Sequence, residues 1–344
     1  MKAAIETPRL TEDPIFYDIE LPLRGVYHPL GFTVEIATNS DQVLLAAHES
    51  WGHFQQRIAE PPMQFRVAVL EGEPRDILVP PTVRAQRHLL VRVLDAANFS
   101  VSNMESGFAS CWLTHGVAAE RSYVSYQFLE GMGWDLLDQL YLTPIHAACV
   151  RLEDKGVLLC GDSGAGKSSL AYACARKGWM FLSDDSTRLI RKSNRPIVLG
   201  NPYQIRFRDS AVELFPELRN RRLSRRIHGK LSIEMPTASM PVIRTITESS
   251  VDHIVFLKRG QPGPPRLVPF PKETALRWFE KVVNYREETI REAHRAALRN
   301  LLTTEILELH YDDLDSAVAM LEAMVGREDG SAAESHAPHE RTHA

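Results

Sequence analysis

Val157-Leu158-Leu159-Cys160-Gly161-Asp162-Ser163-Gly164-Ala165-Gly166-Lys167-Ser168-Ser169-Leu170 decides the reading of this chain. It fits the pattern G-x-x-x-x-G-K-[ST], with an apolar run before it and a helix-forming run after it. A short buried strand, Val157 to Cys160, ends at Gly161, where the backbone must turn. Gly164 and Gly166 lack a Cβ, so the loop can take positive φ and bring its amides close to a ligand. Those amides and the N-terminus of a helix opening near Lys167 form a concave positive site for phosphate oxygens. The nucleotide contacts expected on this pattern are Gly161, Asp162, Ser163, Gly164, Ala165, Gly166, Lys167, Ser168 and Ser169. Lys167 would add a full charge at the β/γ-phosphates of ATP, and the Ser168 hydroxyl would ligate Mg²⁺.

Outward from the loop, the local order is that of a compact α/β unit. Ile145 to Leu152 reads as a strand, and Glu153-Asp154-Lys155-Gly156 as the turn that returns it into the loop strand. Ser169 to Arg176 is helical, capped near Lys177-Gly178. Trp179 to Leu182 is the next buried strand, ending at Ser183-Asp184-Asp185 and expected beside the loop strand. From there the two carboxylates reach the metal and γ-phosphate region. One can hold the metal and the other can take a proton from an attacking hydroxyl. Ser-Asp-Asp-Ser is also good turn chemistry, so a purely structural role stays open.

The whole chain fits this setting. Its 344 residues suffice for two domains, and 44% hydrophobic with 24% charged content is that of a soluble globular protein. A net charge of −4 gives no global field for nucleic acid. Cys111, Cys149, Cys160 and Cys174 lack zinc or C-x-x-C spacing, and a reducing cytoplasm is the expected compartment. No run reaches membrane-spanning length, and residues 1–20 have no signal-peptide core.

Residues 1 to about 30 read as an extended arm. Strands are expected at Phe32–Ile36, at Phe65–Val69 and, more buried, at His88–Leu94, with a helix over 41–57. This makes residues 1–125 an α+β domain without chemical signature. His48 and His53 stand five apart, which does not align on a helix, so packing and surface explain them better than a metal. Residues 126–326 form the second domain, which a helix over Phe128–Thr143 leads into, ended by Pro144. Hairpins follow from Thr187 to Ile233, then a strand at Val251–Leu257, helix over 273–303 and a last helix from Leu314 to Met324. Residues 327–344 are apolar-poor and expected to be disordered. The tail histidines His336, His339 and His343 then belong to a solvated segment, and the basic run Arg219–Arg226 to an exposed loop.

His146 lies fifteen positions before Gly161. His146, the Gly161–Ser168 loop and Leu182-Ser183-Asp184-Asp185 together resemble the catalytic domain of the HPr kinase/phosphorylase family, closely over 146–188. The resemblance implies a phosphoenolpyruvate-carboxykinase-like P-loop core and ATP- and Mg²⁺-dependent transfer of the γ-phosphoryl group to a hydroxyl, as on serine. It implies Asp184 as acid/base, Asp185 as metal support, and His146 orienting Asp184 or contacting the transferring phosphate. The family's Glu-Ile-Arg-Gly signature is nearest here to Gln204-Ile205-Arg206-Phe207. Gln204 would be a neutral metal ligand, and Arg206 a phosphate or acceptor contact. The family's loop continues in Glu where this chain has Ser169, and residues 1–125 do not match its N-terminal domain. The implied acceptor is therefore a protein, peptide or small molecule other than HPr, and a homo-oligomer is compatible with the family. A nucleotide-dependent switch with little transfer is the alternative, because weakened metal ligation would spare binding more than transfer. No Asn-Lys-x-Asp guanine signature and no Leu-Ser-Gly-Gly-Gln of a transporter ATPase occurs.

Overall fold

The period-two runs beyond Gly31 do become strands. The computed structural model of the chain describes residues 19–72, 79–219, 221, 223–224, 232–240, 242–283 and 287–333, and it divides into two compact units, Met1–Leu140 and Tyr141–Ala344. The first unit holds β1 (Leu23–Tyr27), β2 (Val34–Thr38), β3 (Met63–Leu70), β4 (Thr82–Gln86), β5 (Leu89–Val93), β6 (Phe99–Asn103) and β7 (Phe108–Thr114). They form one seven-stranded sheet in the order β1-β2-β3-β7-β6-β5-β4, with β2, β3 and β7 parallel at its centre. Part of the expected N-terminal arm is thus an edge strand; residues 1–18 lie outside the described residues.

The crossover from β2 to β3 is α1 (Asp41–Trp51), which buries Val43, Ala46, Ala47 and Trp51. It stops short of the expected Arg57, whose N–H donates instead to the Gly31 carbonyl at 3.0 Å. His48 and His53 are exposed, and no group of three or more metal-ligating side chains gathers among the described residues. β5 is only half-buried, since it belongs to the β4–β5 hairpin at the sheet's margin.

Helix follows β7 as α2 (His115–Ala118), α3 (Arg121–Tyr123), a π turn (Val124–Leu129) and α4 (Glu130–Leu140). The segment expected to open the second domain is packed into the first. Phe128, Leu129, Met132, Leu136 and Leu137 are buried, and Arg92 of β5 donates from Nε to Asp135 at 3.1 Å. The division therefore falls at Leu140 rather than at 125/126. No helix among the described residues is long and apolar enough to cross a membrane, and all four cysteines are free and buried.

In the second unit, β8 (Leu142–His146), β9 (Ala148–Leu152), β10 (Lys155–Cys160) and α5 (Lys167–Arg176) lead to β11 (Met180–Ser183), β12 (Ser186–Ile190), β13 (Ile197–Gly200) and β14 (Gln204–Arg208). β15 (Leu223–Ser224), β16 (Ser232–Pro236), β17 (Arg244–Thr245), β18 (Glu248–Ser250), β19 (His253–Arg259) and β20 (Arg266–Pro269) follow. Then come α6 (Lys272–Glu280), α7 (Glu288–Leu301), β21 (Glu305–Tyr311) and α8 (Leu314–Ala333). The central seven-stranded sheet runs β17-β11-β9-β10-β19-β21-β20, flanked by a four-stranded sheet β18-β13-β12-β8 and a three-stranded sheet β14-β16-β15.

Both faces of the central sheet are covered, which is why its strands read as continuous apolar runs. Val157 and Leu159 join α5, α8, Ile205 and Phe207 in one core. Leu158 and Cys160 join Leu189, Val198, Phe279 and Leu298 in the other. The expected single strand Ile145–Leu152 breaks at Ala147, so that β8 serves the small sheet and β9 the large one. Pro144 sits within β8 opposite Arg188, on the outermost strand of its sheet, where its missing N–H costs nothing. β11 does not lie beside β10. The tight β9–β10 hairpin places β9 between them. The expected helix over 273–303 is two helices, and α8 continues to Ala333, into the stretch expected to be a disordered tail. Residues 334–344, with the tail histidines, lie outside the described residues, as do Asn220, Arg222, Arg225 and Arg226 of the basic run.

His294 of α7 is fully buried, and its Nδ1 is hydrogen-bonded to Thr143 Oγ1 at 2.9 Å. Burial, and secondarily Arg191, push its pKa down from 6.5 to about 3. The unfolded chain therefore takes up a proton below 6.5 that the folded chain refuses until about 3. The stability held by the neutral ring is complete above that window and is lost as pH falls through it. His294→Gln, which cannot titrate, is expected to flatten the decline of Tm with acidification. An unchanged slope would show that His294 does not set it.

Candidate active site

The loop between β10 and α5 has the backbone its glycines predict. Gly161, Gly164 and Gly166 have φ of 147°, 99° and 100°, and the turn closes with Ala165 N–H donating to the Asp162 carbonyl at 3.0 Å. A Cβ on Gly166 would stand 2.7 Å from Tyr311 Oη. The Tyr311 hydroxyl in turn donates to the Ala165 carbonyl at 3.3 Å, so β21 braces the loop from beneath. Asp162, Ser163 and Gly164 are exposed at the loop's rim, and Ala165, Gly166, Ser168 and Ser169 are half-buried.

Lys167 is buried at 6% exposure, and an ammonium there must be partnered. Its Nζ donates to the Gly161 carbonyl at 2.8 Å and lies 3.1 Å from His146 Nε2. His146 Nδ1 is 3.1 Å from Asp185 Oδ1. An ammonium has donors only, so His146 must accept through Nε2 and donate its Nδ1–H to Asp185. Burial lowers the Lys167 pKa, and the Asp185 carboxylate opposes that shift most strongly. Burial also lowers the His146 pKa, with Asp185 raising and Lys167 lowering it, which keeps the ring neutral in this chain of three.

Asp184 is placed by the other face of the site. Its Oδ2 accepts the Arg206 backbone N–H at 2.8 Å, and its carbonyl lies 3.5 Å from Ser168 Oγ. The acidic pair thus meets the loop although β11 is one strand removed from β10. The resemblance has His146 orienting Asp184 or contacting the transferring phosphate; the structure pairs the ring with Asp185.

Gln204 and Arg206 share a face of β14. Gln204 Nε2 donates to Glu234 Oε2 at 3.0 Å, and Arg206 Nε pairs with Glu234 Oε1 at 3.1 Å. Glu234 lies on β16, directly across from Arg206. Sequence reasoning missed Glu234, Arg208, Trp278 and Tyr311. Arg208 is legible as the next same-face position after Arg206. Trp278, whose Nε1 donates to Asp162 Oδ1 at 3.4 Å and whose ring lies 6.4 Å from that of His146, carries no local signal.

The donor set suits a nucleoside triphosphate and Mg²⁺. The loop presents amides at glycine positions that a Cβ would obstruct, Ser168 Oγ stands 3.5 Å from the Asp184 carbonyl, and the Asp185 carboxylate is held on His146. Mg²⁺ takes few protein ligands and keeps phosphate oxygens and waters, so a sparse set is sufficient.

Residues 140–208 match the family model of the HPr serine kinase C-terminal domain. An HPr kinase/phosphorylase of Mycoplasma mycoides subsp. mycoides is 32% identical over 108 residues, covering 24% of this chain and 34% of the relative. One of Streptococcus thermophilus is 34% identical over 93 residues, covering 26% of this chain and 30% of the relative. The chain thus spans about a third of the length of these curated relatives. The solved Hpr(Ser) kinase/phosphatase from Coxiella burnetii aligns at 14% identity and a TM-score of 0.31, over 55% of this chain and 97% of that one. The segment that carries the phosphate loop, the histidine and the acidic pair is thus similar to the HPr serine kinase C-terminal domain.

Proposed function

We propose that the unit beginning at Tyr141 is an ATP-dependent kinase with a phosphoenolpyruvate-carboxykinase-like P-loop core, working in the cytoplasm on a hydroxyl of a protein, peptide or small molecule other than HPr. The observation that carries this reading is the run from Gly161 through Lys167 and His146 to Asp185, which joins a phosphate cradle to a carboxylate pair.

Asp184, fixed by the Arg206 amide, takes the proton of the acceptor hydroxyl. The hydroxyl oxygen forms a bond to the γ-phosphorus, and the bond from that phosphorus to the β,γ-bridging oxygen breaks, leaving ADP. Lys167 and the loop amides offset charge on the phosphate oxygens. Ser168 and Asp185 would hold magnesium, which would supply further positive charge at the phosphates. His146 holds Lys167 and Asp185 in register, so a neutral ring is its working state. Gln204 stands at the edge of this set, its amide nitrogen on Glu234.

Transfer from γ-labelled ATP in a lysate of the protein's own host, beside Asp184→Asn, tests the reading. Loss of roughly a hundredfold or more in labelling with ATP affinity retained is expected for a missing base. Equal labelling by both proteins would remove Asp184 from that role, and ATP binding without labelling by either would remove the kinase.

Gly166→Ala tests the cradle. A side chain at positive φ costs about 1–2 kcal/mol before any clash, so ATP affinity should fall roughly tenfold or more. Adding Tyr311→Phe relieves the contact but not the backbone angle, and should not restore binding. Unchanged affinity in Gly166→Ala would sink the assignment of these amides.

A further inference from the structure

β14 is pinned by its inward face. Ile205 and Phe207 are buried, Phe207 meeting Tyr172 and Phe215 at ring separations of 5.1 and 5.9 Å. The outward positions Gln204, Arg206 and Arg208 are therefore held on one rigid face. Glu234 takes the first two. Arg208 lies opposite Ser232 in the ladder and pairs with no carboxylate among the described residues.

Arg208 reaches the loop instead. One of its terminal nitrogens donates to Ser163 Oγ at 2.5 Å, and the other stands 3.4 Å from where a Cβ on Gly164 would be. Its charge acts on Lys167, lowering that ammonium's pKa. The Asp185 and Asp162 carboxylates act on Lys167, whereas no carboxylate pairs with Arg208 among the described residues, so the guanidinium and the loop amides beside it are open to the oxygens of an anion. A guanidinium still has N–H groups to spare after one hydrogen bond, in a fork that fits phosphate oxygens.

The strand also says which phosphate. Its Arg206 amide holds Asp184, and two residues on, its Arg208 side chain holds the loop's outer rim. A phosphoryl group passing between loop and Asp184 lies between those two points. We propose that Arg208 binds the terminal phosphate of the nucleoside triphosphate, supplying in cis the arginine that neutralises charge on the group being transferred. The inference rests on the nucleotide-binding reading above.

Calorimetric titration of the full chain with MgATP and with ADP, for the unmodified protein, Arg208→Ala and Arg208→Lys, decides it. Arg208→Ala should weaken ATP by roughly tenfold, the size of one charge-assisted hydrogen bond, and leave ADP unchanged. Arg208→Lys should recover part of the ATP affinity, as a point charge without the fork. Equal weakening of ATP and ADP would overturn the proposal, making Arg208 a clasp that shapes the loop through Ser163. Unchanged binding of both would overturn it as well. Failure of the unmodified protein to bind either nucleotide would instead overturn the nucleotide reading, and this inference with it.

Discussion

A buried ammonium sets the terms of this site. Lys167 cannot sit at 6% exposure without partners, and besides the Asp162 carbonyl at 3.5 Å they come from three parts of the chain. The Gly161 carbonyl comes from the turn, His146 from the end of β8, and the charge of Asp185 from the end of β11, relayed through the imidazole. Stranding such a cation would cost several kcal/mol. The local conformations of loop, strand end and acidic turn are therefore mutually dependent. The break of the chain at Ala147 follows from the same demand: it turns His146 out of the large sheet and lets Ser186 pair with it in the small one.

The second constraint is mechanical. β14 carries aromatic bulk on one face and charge on the other, so the core that holds Phe207 also fixes Arg206 and Arg208. Glu234 divides the two arginines. By holding the Arg206 side chain it leaves that residue's amide to orient Asp184, and leaves Arg208 to the loop. One residue of strand thus separates the amide that holds Asp184 from the guanidinium that meets Ser163.

Much of this was legible in the chain. The loop, the flanking strand and helix, and the acidic turn follow from short-range chemistry, because glycine conformation and apolar alternation act over a few residues. The partners of those elements were harder to read. β21 lies inside the large sheet between β19 and β20, yet Glu305 to Tyr311 follows a helix and carries Glu at an exposed and a half-buried position and His310 at a buried one, which dilutes its period-two signal. The place of β9 between β10 and β11 is set by hairpin geometry, which spacing alone does not fix. The helix ending at Leu140 shows the same limit, since its amphipathic pattern announces a buried face but not the unit that buries it.

The departure at Gln204 is then a local matter of charge. A neutral side chain at that position removes one carboxylate, and β16 brings Glu234 to the same face across the ladder. That carboxylate is engaged twice, by Gln204 and by Arg206, so it balances the arginine rather than adding free negative charge. The cleft side of β14 is consequently more positive than a Glu at position 204 would leave it. Glu234 thus stays occupied on β14, and the guanidinium of Arg208 is left to meet Ser163 at the loop.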